Sequence, residues 1–120
     1  MPYCEIQTSV SLDTAQKATL CSELAHAFAE ASSEAVAANI QFVVIDGCFV
    51  QFRGEVCDSA HIGFHPGPLT PYEDYPAITK AFLAVVENQL GIMPNRMYMN
   101  IAEYDNWGFD DQYITIDKHA

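Results

Sequence analysis

Twice along this chain, a stretch with the alternation of a half-buried strand gives way to a helical stripe and then to a second strand. That repetition restricts the fold more than any other feature. The first unit opens with Pro2-Tyr-Cys-Glu-Ile-Gln-Thr-Ser-Val10. Asp13 followed by Gln16 has the residue types of a helix N-cap and its reciprocal partner. Leu20, Leu24, Phe28 and Ala31 then form one apolar stripe. Asn39 to Ile45 reads as the returning strand, and Asp46-Gly47 signals a tight turn into Cys48-Phe-Val-Gln-Phe52. In the second unit a strand over Glu55 to Phe64 is followed by a proline-rich loop, His65 to Pro71. Ile78, Phe82, Val85, Val86 and Leu90 give a helix closed by Gly91, and Arg96 to Glu103 gives the last strand, with a tail after Asp105.

The predicted class is therefore α/β (α+β): two β-α-β repeats forming a four-stranded mixed sheet with two helices on one face. One domain spans residues 1–120, with pseudo-repeat halves of about 1–54 and 55–120 joined by a hairpin-like ribbon. Such a sheet leaves unpaired edges and, on this reading, an apolar face opposite the helices; a symmetric oligomer packing sheet on sheet covers both. At 120 residues, half of them apolar, a core is expected, and burial between copies adds to it.

Charge narrows the partners. The formal net charge is −11, and the cationic side chains are Lys17, Arg53, Lys80, Arg96 and Lys118 alone. Such a surface repels phosphate backbones and anionic lipid, so neither nucleic acid nor membrane is an expected partner. Cys4, Cys21, Cys48 and Cys57 show no zinc spacing and read as buried, reduced thiols. With no apolar run of membrane-spanning length and no signal-peptide pattern, the expected location is cytoplasmic.

Several ordered segments resemble the tautomerase superfamily, in the branch of macrophage migration inhibitory factor and D-dopachrome tautomerase. They are Met1-Pro2, Cys4-Glu-Ile-Gln-Thr8, Leu20-Cys-Ser-Glu-Leu24, Ser59-Ala-His-Ile-Gly63, Asn95-Arg-Met-Tyr-Met-Asn100 and Asn106-Trp-Gly-Phe109. The resemblance implies a homotrimer with sites at subunit boundaries, a catalytic Pro2 and enol–keto tautomerisation of phenylpyruvate-like carbonyl substrates. It also implies that Tyr98 and Asn100 reach the neighbouring subunit's site, that the Ile62 backbone contributes to the pocket, and that Trp107 and Phe109 border it. Leaderless secretion is a further implication. The chain departs from the pattern at Ser33-Glu-Ala35, where Glu34 stands at or beside a family lysine that grips the substrate carboxylate. Its longer ending, Asp110 to Ile116, differs too.

The chemistry can be built from the residues. Removal of Met1 would make Pro2 a secondary amine; an α-amino group titrates at about 7.7–8 and lower in apolar surroundings. Such a base can move a proton beside a carbonyl without a cofactor, with Tyr98 or Asn100 donating to the enolate oxygen. Each residue also has a plainer reading. Pro2 suits a strand start, Tyr98 a half-buried aromatic, Trp107 and Phe109 simple packing. Arg53 fits either an anion anchor replacing the lysine or a solvated ion pair. His61 and His65 share a strand face some ~13 Å apart, so no metal site is expected. The expected activity is a cofactor-independent keto–enol isomerase. Its alternatives are hydration or decarboxylation through the same proline, or a cytokine-like interaction module with a vestigial pocket.

Overall fold

The computed structural model describes residues 2–33 and 39–115. Its centre is a four-stranded mixed sheet in the order β2-β1-β5-β6, where β1 is Tyr3–Thr8, β2 Gln41–Ile45, β5 Ala60–His65 and β6 Met97–Ile101. β1 and β2 are parallel, as are β5 and β6, and the antiparallel β1–β5 pair joins the two units. Helices α1 (Thr14–Ala31) and α2 (Tyr75–Leu90) are the two crossovers and pack side by side on one sheet face.

The local signals explain the helix ends. Asp13 accepts from the Gln16 backbone N–H at 2.7 Å, while the Asp13 N–H donates to Gln16 Oε1 at 2.8 Å; this reciprocal box starts α1. Pro76 sits in the first turn of α2, and Gly91 ends it at φ 70°, a left-handed position that a side chain would strain. The predicted stripe is the buried one: Leu20, Leu24 and Phe28 from α1 meet Ile78, Phe82 and Val86 from α2. They close over Cys4, Ile6, Ile62, Phe64 and Met97 of the sheet. Phe28, Phe64 and Phe82 form the centre of this core, with ring centroids 5.6–6.1 Å apart.

Several expectations need correction. The hairpin turn is not Asp46-Gly47. β2 stops at Ile45, Gly47 and Cys48 donate back to Val10 and Thr8 of the first segment, and the turn is Arg53-Gly54, both at positive φ. That turn joins the short strands β3 (Gln51–Phe52) and β4 (Glu55–Val56). Asp46 instead takes the Leu12 N–H at 2.8 Å and Lys17 Nζ at 2.8 Å, tying the end of β2 to the entry of α1. Secondly, the strand predicted over Glu55 to Phe64 is two, interrupted at residues 57–59, where Ser59 exchanges hydrogen bonds with Ser9 and Thr8. The segment after Asp105 is a hairpin, β7 (Asn106–Phe109) and β8 (Gln112–Thr115), turning through Asp110 and Asp111 at positive φ.

The face opposite the helices also differs from expectation. It carries Tyr3, Glu5, Gln7, His61, His65, Tyr98 and Asn100, with the apolar Val43 and Ile45 confined to β2, so it is mainly polar and aromatic. Of the cysteines only Cys4 is buried; the other three are half-exposed. Burial pushes the Cys4 thiol up to about 12, keeping it protonated and inert.

Phe82→Ala removes the ring at the centre of the aromatic cluster and is expected to lower unfolding free energy by about 3–5 kcal/mol in denaturant titration. The hydrogen bond from the Leu12 N–H, then that from Lys17, hold the Asp46 carboxyl below its ordinary range. Its stabilisation is present at neutral pH and lost as pH falls through that lowered value. The stability gap between wild type and Asp46→Asn is thus expected to shrink on acidification below about pH 4; an unchanged gap contradicts the assignment.

Candidate functional site

Pro2 is fully buried at the start of β1, and its carbonyl accepts the Gln41 N–H at 3.0 Å, which fixes it against β2. It lines a cavity of about 450 Å³ together with Tyr3, Asn39, Gln41, Trp107, Gly108 and Phe109. The family resemblance anticipates Pro2, Trp107 and Phe109, and the fold brings these three together. Tyr3, Asn39, Gln41 and Gly108 are additions. Tyr3 and Gln41 are direct register partners, so one alternation pattern puts both at the cavity. Gly108 follows from β7 folding back as part of a hairpin.

The walls are held by an aromatic ladder. The rings of Tyr3 and His65 stack at 5.3 Å, His65 and Tyr104 at 5.0 Å, and Tyr104 meets Trp107 edge-on at 6.2 Å. Trp107 Nε1 donates to the Tyr104 carbonyl at 2.9 Å, which fixes the indole. Tyr3 donates to Glu5 at 2.8 Å; that hydrogen bond, with burial, raises the Tyr3 hydroxyl above its usual range. No ionisable carboxylate or cation lines the cavity among the described residues, so its walls are aromatic rings, the Pro2 ring and two amides.

Tyr98 and Asn100 are elsewhere. Tyr98 pairs with His61, which pairs with Gln7; Asn100 pairs with Gly63, which pairs with Glu5. Tyr98 therefore stands level with Gln7, about 16 Å along the sheet from Pro2 and two strands across. Within one chain it cannot meet Pro2. Tyr98 instead packs against Phe52, with tilted rings 4.9 Å apart, and shares a second cavity, of about 430 Å³, with Phe49, Phe52, Arg53 and His61. Arg53 thus accompanies Tyr98, not Pro2. The Ile62 side chain is wholly buried in the core and lines neither cavity. Glu34 lies outside the described residues.

The two cavities sit at opposite ends of one open sheet face and present different surfaces. Large apolar groups stand exposed around that face's margins, among them Phe49 at 86%, Tyr98 at 64% and Phe109 at 64%. No helix among the described residues is long and apolar enough to cross a membrane.

Neither a protein-family model nor a curated protein sequence matches the chain. Solved structures do. The crystal structure of Leishmania major MIF2 superimposes with a TM-score of 0.86 at 18% identity, covering 95% of this chain and 97% of that one. Macrophage migration inhibitory factor from Toxoplasma gondii gives 0.82 at 21% identity, covering 93% and 99%. Pt0534, crystallised after inactivation by 2-oxo-3-pentynoate, gives 0.76 at 15% identity, covering 90% and 92%. With nearly full mutual coverage and the same sheet carrying the same pair of helices, the chain has the macrophage migration inhibitory factor-like tautomerase fold.

Proposed function

We propose that this chain is a cofactor-independent keto–enol tautomerase of the tautomerase superfamily, acting on small carbonyl acids through Pro2. The observation that carries the reading is that Pro2 lies buried in a cavity walled by Tyr3, Trp107 and Phe109 and free of ionisable carboxylates or cations among the described residues. Removal of Met1 exposes a secondary amine there. The low-dielectric walls disfavour its charged form and bring its pKa toward neutrality. The neutral nitrogen takes a proton from the carbon beside the carbonyl. The C–H electron pair becomes the new carbon–carbon double bond while the carbonyl oxygen takes up negative charge. The pyrrolidinium then returns its proton to that oxygen, giving the enol, and the reverse sequence gives the keto form.

The developing oxygen charge calls for a donor; within one chain the Tyr3 hydroxyl and the Trp107 N–H are engaged elsewhere, which leaves the Asn39 and Gln41 amides. Tyr98 or Asn100 of a second copy supplies a further donor on this reading. Because the Pro2 end and the Tyr98 end are unlike surfaces, the contact between copies is heterologous, and such contacts form a ring where the rotation between copies closes. A homotrimer is the ring the fold suggests. Arg53 arrives with Tyr98, through the Phe52 contact, and provides the cation that Glu34 does not. The inactivation of Pt0534 by a 2-oxo acid supports this substrate class.

The test is direct. Intact-mass measurement is expected to show loss of Met1, and the processed protein to interconvert enol and keto phenylpyruvate, followed by enol absorbance. Pro2→Ala should lower kcat/KM at least ~100-fold; equal rates in both proteins, or retained Met1, would sink the proposal. Activity in the proton-abstracting direction should fall as pH drops through the amine's pKa, since only the neutral amine is a base. Arg53→Ala should raise KM, and Glu34→Lys should raise turnover on 2-oxo acids by replacing a repulsive charge with an attractive one. Trp107 is the chain's sole tryptophan and lines the cavity, so its emission is expected to change on saturation with a 2-oxo acid and to stay constant if the ligand binds elsewhere.

A further inference from the structure

His61, Gly63 and His65 alternate along β5, so all three present the same open face. Regular strand geometry separates residues four apart by about 13 Å, too far to share a ligand. The glycine between them changes this. A Cβ placed on Gly63 would lie 3.9 Å from His61 Cε1, 3.8 Å from His65 Nε2 and 3.7 Å from Asn100 Oδ1. Both imidazoles therefore lean inward over the one position on that face that carries no side chain, with an amide oxygen beside them. The strand spacing of the two Cα positions therefore does not measure the separation of the rings.

The two rings are prepared differently. His65 is clamped between the Tyr3 and Tyr104 rings, and its Nδ1 lies 3.2 Å from the Ala102 carbonyl. A carbonyl only accepts, so Nδ1 carries the proton and Nε2 turns a lone pair toward the space above Gly63. This second-sphere arrangement is how a protein fixes the tautomer of a metal-binding histidine. His61 is exposed and makes no hydrogen bond among the described residues, so its ring is free to rotate. Glu5, the register partner of Gly63, adds negative charge on the other side, while its oxygens are engaged by Tyr3 and Gln7.

We propose that His61 and His65 bind a borderline divalent transition ion, Zn²⁺ or Ni²⁺, in the gap above Gly63. The ligands are one nitrogen from each ring and Asn100 Oδ1. Imidazole nitrogens suit these ions and bind at about 2.0–2.1 Å. Among the described residues no three His, Cys, Asp or Glu side chains converge as a metal cluster. The site is thus a two-histidine one with its remaining positions left to water. It adjoins the Pro2 cavity through the Tyr3–His65 stack but uses none of that cavity's lining residues, and it does not depend on the tautomerase reading.

Titration of the full-length protein with Zn²⁺ and with Ni²⁺, each alone, by calorimetry in chelator-free buffer tests this. One ion per chain is expected, with affinity reduced ~10-fold or more in His61→Ala and in His65→Ala. Gly63→Ala is the sharper variant. Its Cβ meets neighbours only at ordinary van der Waals distances and the backbone there is not left-handed, so the chain still folds, yet the methyl occupies the gap. It should lose binding as His61→Ala does, with an unchanged circular dichroism spectrum. Three results overturn the proposal: no stoichiometric binding, binding indifferent to all three substitutions, or binding lost only in His26→Ala, which would place the ion at the exposed His26–Glu30 pair.

Discussion

The antiparallel pairing of β1 with β5 is the contact on which the rest depends. Each of these strands is also the parallel partner of its own unit's second strand, so this one ladder joins both crossovers into a single sheet. Its register sets every side chain's destination. Ile6 faces Ile62 and Cys4 faces Phe64 on the helix side, while Glu5 faces Gly63 and Tyr3 faces His65 on the other. A slip of one residue would send the isoleucines to solvent and the glutamate into the core, so burial fixes the register strongly. The same alignment stacks Tyr3 on His65, and so connects the core's geometry to the walls around Pro2.

Much of this was legible from residues alone. Helical stripes at Leu20-Leu24-Phe28 and Ile78-Phe82-Val86, the Asp13–Gln16 box and Gly91 as a terminator are local signals, and local physics decides them. The ribbon shows where such reasoning fails. Asp46-Gly47 has the composition of a hairpin turn, but Asp46 finds better partners in the Leu12 N–H and Lys17, both distant in sequence. The real turn, Arg53-Gly54, places an arginine at φ 52°, where sequence rules favour glycine or asparagine. The hairpin after Asp105 was hidden by a similar exception, two aspartates at positive φ.

The candidate site divides along the same line. Pro2, Trp107 and Phe109 were anticipated and share a cavity. What no linear pattern conveys is that Tyr98 lies toward the far end of the sheet from Pro2 and Asn100 midway, both two strands across, because that separation follows from strand order and register together. Nor does composition foretell a polar outer face. Its strands alternate as expected, yet the outward positions of β1, β5 and β6 hold amides, imidazoles and phenols, and only β2 offers the apolar Val43 and Ile45 of the anticipated contact surface. The strand spacing of His61 and His65 likewise says nothing of how their rings lean over Gly63, which carries no side chain.

The distance between Pro2 and Tyr98 has a genetic consequence if the two cooperate across copies. A lesion in either residue would then injure a neighbour rather than only the molecule that bears it. In a cell carrying both a sound and a damaged allele, mixed rings would form, and a defective donor surface would silence an intact proline beside it. Dominance would follow from strand order alone.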